Sequence, residues 1–353
     1  MNSKEVKEWK VTIAVAVYNT EAYVEQCARS LFEQTLEEID FLFVDDGSTD
    51  DSVAIVERTL KDYPNRAEQV RFIRYRQNQG VACVRREACE AARGEYLVYV
   101  DSDDYVEPNY AELLYAKAKE TGADVVACDY FMHQEGHEKY RVRKLSPLGE
   151  GKNGSLLREG TINTTLDPNV WCRLVRKDLL LENEILWPRA NNSEDKLISI
   201  QTAYYARRMA YVQQPLYHYR YNTASLSRNK DKAVKLKVVD ELLTNYRIME
   251  EFIAKHHIME QYPDCTFYSK LYIRNRLLPF LGERKYRRRY LRTFPEMNRI
   301  YLFGNKYHRP SWRERVWILA LMLGLYPLMG KLLHKYCRPY SAWYRNPAIS
   351  RNI

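Results

Sequence analysis

At 353 residues, with 46% hydrophobic and 29% charged side chains, the chain can build one large or two small domains around a true core, and its composition excludes a fibrous or low-complexity protein. A formal charge of +9 implies an anionic partner, whether nucleic acid, a membrane surface or a substrate. Seven scattered cysteines without a Cys-x-x-Cys exclude a disulfide framework and a zinc site and point to free thiols in a reducing compartment; residues 1–10 are too polar for a secretory signal.

The first strand is predicted over 11–18, Val-Thr-Ile-Ala-Val-Ala-Val-Tyr. Asn19 and Thr20 offer caps for a helix in which Val24, Cys27, Ala28, Leu31 and Phe32 share one face. A second strand over 40–44 runs into Asp45-Asp46-Gly47-Ser48, where Gly47 permits a tight turn, and Val53, Val56 and Leu60 mark the next buried helix face. A third strand over 70–75 leads to Asn78-Gln79-Gly80 and a helix over 81–92. Gly94 closes that helix before a fourth strand over 96–100. Strand–helix alternation at this pitch means βαβ units and a parallel sheet.

The fourth strand organises the rest. Residues 96–104 read Tyr-Leu-Val-Tyr-Val-Asp-Ser-Asp-Asp: an apolar strand covered on both faces, then three carboxylates in four positions. Parallel strands gather their carboxyl ends on one rim, so Tyr18, Asn19, Asp45, Asp46 and Asn78 are expected beside Asp101 and Asp103. Clustered carboxylates of this kind suit Mg²⁺ or Mn²⁺, which in turn binds phosphate. Arg85, one turn into its helix, is placed to meet an anionic or carbonyl oxygen, whereas Arg86 reads as surface.

Beyond Asp104 the pattern predicts a helix over 108–120, a strand over 124–131, loop or weak hairpin over 133–160 and a helix over 169–181 with Trp171 and Leu174 inward. Ser193 caps a helix to about Tyr205 that opens with Glu194-Asp195. A short strand over 209–212 and an aromatic extended stretch over 215–221 follow. From 229 the chain reads as helical and basic. The apolar run within 312–333 is flanked by Arg313, Arg315, Lys331 and Lys335 and contains Pro327. It is too short to span a membrane, so it is either an interfacial segment with basic anchors or a buried core helix, the anchors favouring the first. Cys83 and Cys89 read as core, and His133, His137, His256, His257, His308 and His334 form no ligand spacing.

Taken together, Val17-Tyr18-Asn19, Asp45-Asp46-Gly47-Ser48-Thr49-Asp50, Asn78-Gln79-Gly80 with Arg85, Gly94-Glu95-Tyr96 and Asp101-Ser102-Asp103-Asp104 make residues 10–110 resemble a family 2 glycosyltransferase of the bacterial polysaccharide-biosynthesis type. Ala16-Val17 stands where the family usually has proline, and Arg86 where it commonly has asparagine. The resemblance implies the GT-A fold, a Rossmann-like α/β architecture with a mostly parallel central sheet and helices on both faces, followed here by a helical C-terminal region. It divides the chain into a glycosyltransferase domain over 1–228, with a nucleotide-sugar half to about 110 and an acceptor half after it, and a basic region over 229–353.

By position, the resemblance implies that Tyr18, Asp45 or Asp46, Asn78 and Arg85 hold the nucleotide, that Asp101 meets ribose or metal, and that Asp103 ligates a divalent cation, Mn²⁺ or Mg²⁺. Asp195 resembles the catalytic base, with Glu194 its partner, and His218, Arg220 and Ser225 resemble a closing segment on the diphosphate. The implied reaction is inverting, metal-dependent transfer from a nucleotide-sugar, UDP-linked by resemblance, to a hydroxyl of a glycan or lipid-linked acceptor in surface polysaccharide assembly. It would take place in the cytoplasm, with peripheral contact to an anionic inner membrane face through 312–335 and no nucleic acid. The rivals are a sugar-phosphate nucleotidyltransferase, which would want a basic Gly-rich loop where Tyr18-Asn19-Thr20-Glu21 stands, and a non-catalytic nucleotide-sugar-binding protein, against which Asp101, Asp103 and Asp195 speak.

Overall fold

The computed structural model describes residues 8–134, 137–143, 153–162, 168–220, 222, 231–263, 265–305 and 308–326. The predicted βαβ alternation is present: β1 (Val11–Val17), α1 (Val24–Phe32), β2 (Ile39–Asp45), α2 (Ser52–Leu60), β3 (Val70–Arg74), α3 (Val81–Ala91) and β4 (Tyr96–Asp101). After a two-residue strand β5 (Tyr105–Val106) come α4 (Tyr110–Thr121), β6 (Val125–Gln134), β7 (His137–Arg143), α5 (Asn153–Ile162), β8 (Arg173–Arg176), α6 (Lys177–Leu181), α7 (Glu194–Tyr205) and β9 (Met209–Tyr219). They form one nine-stranded mixed sheet in the order β3-β2-β1-β4-β8-β6-β9-β5, with β7 paired to β6.

β1, β2 and β4 are buried along almost their whole length because parallel strands are covered on both faces; Val11, Ile13, Val15, Ile39, Phe41, Leu42, Val98 and Val100 lose essentially all solvent contact. The sheet reverses between β4 and β6, where β8 runs antiparallel to both. Here the structure corrects the predicted helix over 169–181: a single 3-10 turn (Val170–Cys172) leads into β8, and only Lys177–Leu181 is helical. The predicted loop at 133–160 is in part a β6–β7 hairpin and the helix α5. Trp171 packs against Tyr217 with ring centroids 4.2 Å apart, so it is a core residue. Cys89 is buried, but Cys83 is exposed, contrary to its core reading.

Gly94 joins α3 to the amino-terminal end of β4. A Cβ there would lie 2.3 Å from the Thr12 nitrogen and 2.5 Å from the Val11 carbonyl carbon, both backbone atoms that cannot swing away. Gly94→Ala is therefore expected to lower stability by about 1–3 kcal/mol, as overpacking does, measured as a fall in the denaturant midpoint. An unchanged midpoint would mean that β1 can shift away from β4.

The C-terminal helices are α8 (Lys232–Lys255), α9 (Ile258–Gln261), α10 (Phe267–Asn275), α11 (Arg284–Arg292), α12 (Glu296–Phe303) and α13 (Trp312–Met322). Leu242, Tyr246, Met249 and Phe252 of α8 belong to the main core. Val239, at the start of the same helix, joins a second cluster with Leu271, Tyr290, Tyr301, Trp317 and Ile318. Ser311 caps α13 through a capping box with Glu314. No described helix is long and apolar enough to cross a membrane.

Candidate active site

Strand register builds the rim. Val17 pairs with Asp45 and Ala16 with Asp101, so the ends of β1, β2 and β4 meet as the sequence predicts. The loops beyond them are tied together: the Thr20 hydroxyl donates to Ser102 Oγ at 3.0 Å, the Thr20 amide to Ser52 Oγ at 2.8 Å, and the Thr49 amide to Asn19 Oδ1 at 2.9 Å. Gly47, at φ +74°, brings its turn so close to Gln77 that a Cβ would sit 2.8 Å from that residue's backbone.

The candidate residues on this rim differ in what they offer. Tyr18 is 45% exposed and Asn78 is exposed, both open to a ligand. Asp46 is buried, and its carboxylate accepts the amides of Gln79 at 2.6 Å and Gly80 at 2.8 Å. Burial pushes the Asp46 carboxyl up, and those two N–H donors oppose the shift. In this arrangement Asp46 fixes the 78–80 turn. Its neighbour Asp45 accepts the Ser48 amide at 2.9 Å.

Arg85 is the residue whose surroundings sequence reasoning missed. Its side chain is 4% exposed and joins three carboxylates: Nη2 reaches Asp101 at 3.2 Å, while Nη1 reaches Glu194 at 2.7 Å and also pairs with Asp195. Burial pulls against the Arg85 charge, but Asp195, Glu194 and Asp101 outweigh it and hold the guanidinium above its ordinary range. Glu194 and Asp195 thus both meet the same cation. They differ in environment. Glu194 is the more enclosed, and burial together with Asp195 pushes its carboxyl well above the usual range. The Asp195 side chain keeps 21% exposure against 10% for Glu194. Ser193 precedes the pair in a left-handed conformation (φ 66°) and makes no side-chain cap, contrary to its predicted role.

The end of β9 is fastened over the acidic loop. Asp104, fully buried, accepts the Tyr217 hydroxyl and the Arg220 amide, each at 2.7 Å, and Asn222 Nδ2 donates to Asp103 at 2.9 Å. His218 meets Glu107 at 2.6 Å and His133 at 3.1 Å, and stacks on Tyr105 with centroids 4.1 Å apart. Burial lowers the affinity of both histidines for a proton. Arg220 lies over the rings of Tyr23 and Tyr105 and reaches Gln26. Ser225 lies outside the described residues.

No group of three His, Cys, Asp or Glu side chains among the described residues forms a metal cage. The donor set still fits a hard cation of the Mg²⁺ or Mn²⁺ kind, because such ions are commonly held by one or two carboxylates, with phosphate and water completing the shell. Asp101 and Asp103 are the two carboxylates here that could supply such ligands. Burial pushes Asp101 up to about 6; Arg85 opposes this, while Asp103 and Asp195 reinforce it. A site that strains to keep its acids ionised is one that a bound cation would relieve.

A parallel βαβ half, an acidic turn after its fourth strand, and an acid pair brought to that turn by a later helix define a GT-A glycosyltransferase. Residues 12–182 match the family described as Glycosyl transferase family 2. EpsH of Bacillus subtilis (strain 168) is 31% identical over 259 residues, 71% of either chain. The cholesterol galactosyltransferase of Borreliella burgdorferi (strain ATCC 35210 / DSM 4680 / CIP 102532 / B31) is 24% identical over 281 residues, 76% of this chain and 74% of that one. Residues 1–349 of S. aureus TarS, in complex with UDP-GlcNAc, share the fold at a TM-score of 0.57 and 20% identity, over 89% of this chain and 87% of that one. The chain belongs to glycosyl transferase family 2 and is a glycosyltransferase.

Proposed function

We propose that the chain transfers a sugar, with inversion, from a UDP-sugar to a hydroxyl of a glycan or lipid-linked acceptor in surface polysaccharide biosynthesis. We assign it a catalytic domain over 1–228 and a basic helical region over 229–353 that works against an anionic membrane. One observation carries the reading: Arg85 holds Asp101, from the donor strand, and the Glu194–Asp195 pair, from a later helix, on a single guanidinium. A proton acceptor and a phosphate-side acid therefore lie within one side chain's span, which is what displacement at an anomeric carbon requires.

In this reading Tyr18 and Asn78 present exposed groups to the nucleotide, with Asp45 beside them and Asp46 holding their turn. Asp195 accepts the proton of the attacking hydroxyl, a contribution of about 10²–10⁴-fold. Asp101 and Asp103 would hold a divalent cation, whose chemistry when bound is to neutralise charge on the departing diphosphate. We assign Arg220, just past the fastened end of β9, to that leaving group, with His218 beside it holding Glu107 and His133 through its two ring nitrogens. The name of one relative, cholesterol galactosyltransferase, supports a lipid acceptor, and the TarS complex supports a UDP donor.

The test is titration of UDP-GlcNAc with Mn²⁺ or Mg²⁺ by calorimetry, followed by donor hydrolysis. Asp103→Ala is expected to weaken metal-dependent nucleotide binding by at least about tenfold, the scale of losing one charge-assisted contact. Wild-type-like binding by Asp103→Ala would remove the cation assignment. Acid should act alike, because Asp101 must be ionised to ligate a cation. Metal-dependent affinity is expected to fall about tenfold per pH unit below about 6. The same raised carboxyl has the opposite linkage to folding: its contribution to stability is present below the unfolded value of 3.8 and is lost as pH rises through about 6.

A further inference from the structure

Among its described residues, the apolar run at the chain's C-terminal side forms α13 (Trp312–Met322), a helix with two faces. Trp317, Ile318, Ala320 and Leu321 of α13 are buried in the second core cluster, packed with Tyr290 and Tyr301. The opposite face is bare: Trp312 is 69% exposed, Leu319 43% and Leu323 70%. With Val316, these side chains recur at i, i+4, i+7 and i+11, which confines them to an arc of about 60° on a helix of 3.6 residues per turn. On the same wheel Arg315 lies about 40° beyond one side of the stripe and Arg313 about 60° beyond the other.

The exposed charge on α13 and just before it is one-signed. Arg309, Arg313 and Arg315 are exposed, and none pairs with a carboxylate among the described residues. The one acid in the first turn of α13, Glu314, is buried and consumed by the capping box.

We infer that the outward face of α13 is a docking surface for an anionic lipid bilayer, with Trp312, Val316, Leu319 and Leu323 entering the headgroup boundary and Arg313 and Arg315 meeting lipid phosphates. The occupant follows from the charge: an apolar stripe with an aromatic end and arginine borders matches an interface that is apolar below and negative above. A second copy of this basic face would bring arginine against arginine, which opposes self-association. The inference rests on the membrane-side reading of the acceptor, yet it concerns a surface separate from the acid cluster, so it can fail while catalysis stands.

The experiment is flotation of the full chain with phosphatidylcholine vesicles, with and without phosphatidylglycerol, alongside turnover of a soluble acceptor or donor hydrolysis. Wild type is expected to float only with the anionic vesicles, and to be released by salt. Leu319→Glu with Leu323→Glu, and separately Arg313→Gln with Arg315→Gln, are each expected to lower vesicle partitioning at least about fivefold, since each lipid-facing Arg contributes on the order of 1 kcal/mol. Soluble turnover should be unchanged in both. All four positions are exposed, so folding is expected to be preserved, and circular dichroism checks it. Flotation of both pairs equal to wild type would overturn the inference. So would failure of wild type to float, or a shift in sedimentation coefficient showing that the substitutions break a dimer instead of a lipid contact.

Discussion

Asp195→Asn should bind UDP-sugar like the parent and transfer almost none of it. The amide keeps the size and direction of the side chain but cannot take a proton. Loss of a general base lowers kcat by about 10²–10⁴-fold. The fold should survive, because Arg85 retains Glu194 at 2.7 Å and Asp101 at 3.2 Å. Glu194→Gln is the informative comparison. Burial and its neighbour already favour the protonated form of Glu194, and glutamine resembles that form. The Gln variant is therefore expected to keep transfer within about tenfold of the parent. The measurement is single-turnover transfer with donor affinity determined in parallel. If Glu194→Gln is dead while Asp195→Asn turns over, the two acids exchange roles; full rate in both would move the base elsewhere.

What sequence could show of this site depended on the distance over which each feature is encoded. The parallel half was legible because strand, turn and helix recur locally, and the carboxyl ends of parallel strands must share a rim. The pairing of Val17 with Asp45 and Ala16 with Asp101 is the physical form of that rule. Arg85 was visible as a candidate but not in its direction. Its partners Glu194 and Asp195 lie 109 and 110 residues away, and no local pattern aims a guanidinium across that gap. Asp104 was passed over for a similar reason, since the Tyr217 hydroxyl that makes it structural is 113 residues distant. β8 was lost because Arg-Leu-Val-Arg is short and Arg173 points inward, 1% exposed, against the rule that charge marks a solvent face. Hydropathy located α13 but carried no sign of which side met the core; Trp317 and Trp312, five residues apart, ended on opposite faces.

Arg85 itself should be the costliest single position in the chain. Replacing it with methionine leaves Asp101, Glu194 and Asp195 facing one another without their shared cation. Breaking a buried ion pair from one side costs about 3–5 kcal/mol, because the remaining charges are stranded. Arg85→Met is thus expected to unfold at markedly lower denaturant and to lose transfer. Lysine should restore much of the stability and little of the activity. A single ammonium cannot reach Asp101 through one nitrogen and the acid pair through another, as the planar guanidinium does. Misplacing Asp195 by about 1 Å is enough to lose on the order of 10²-fold. A charge-balanced double variant, Arg85→Met with Asp195→Asn, separates electrostatics from packing. Removing one of the stranded acids should recover part of the lost stability, a coupling of about 0.5–3 kcal/mol between the two sites. Strictly additive losses in that cycle, or an Arg85→Met protein as stable as the parent, would show that the three carboxylates do not depend on this cation.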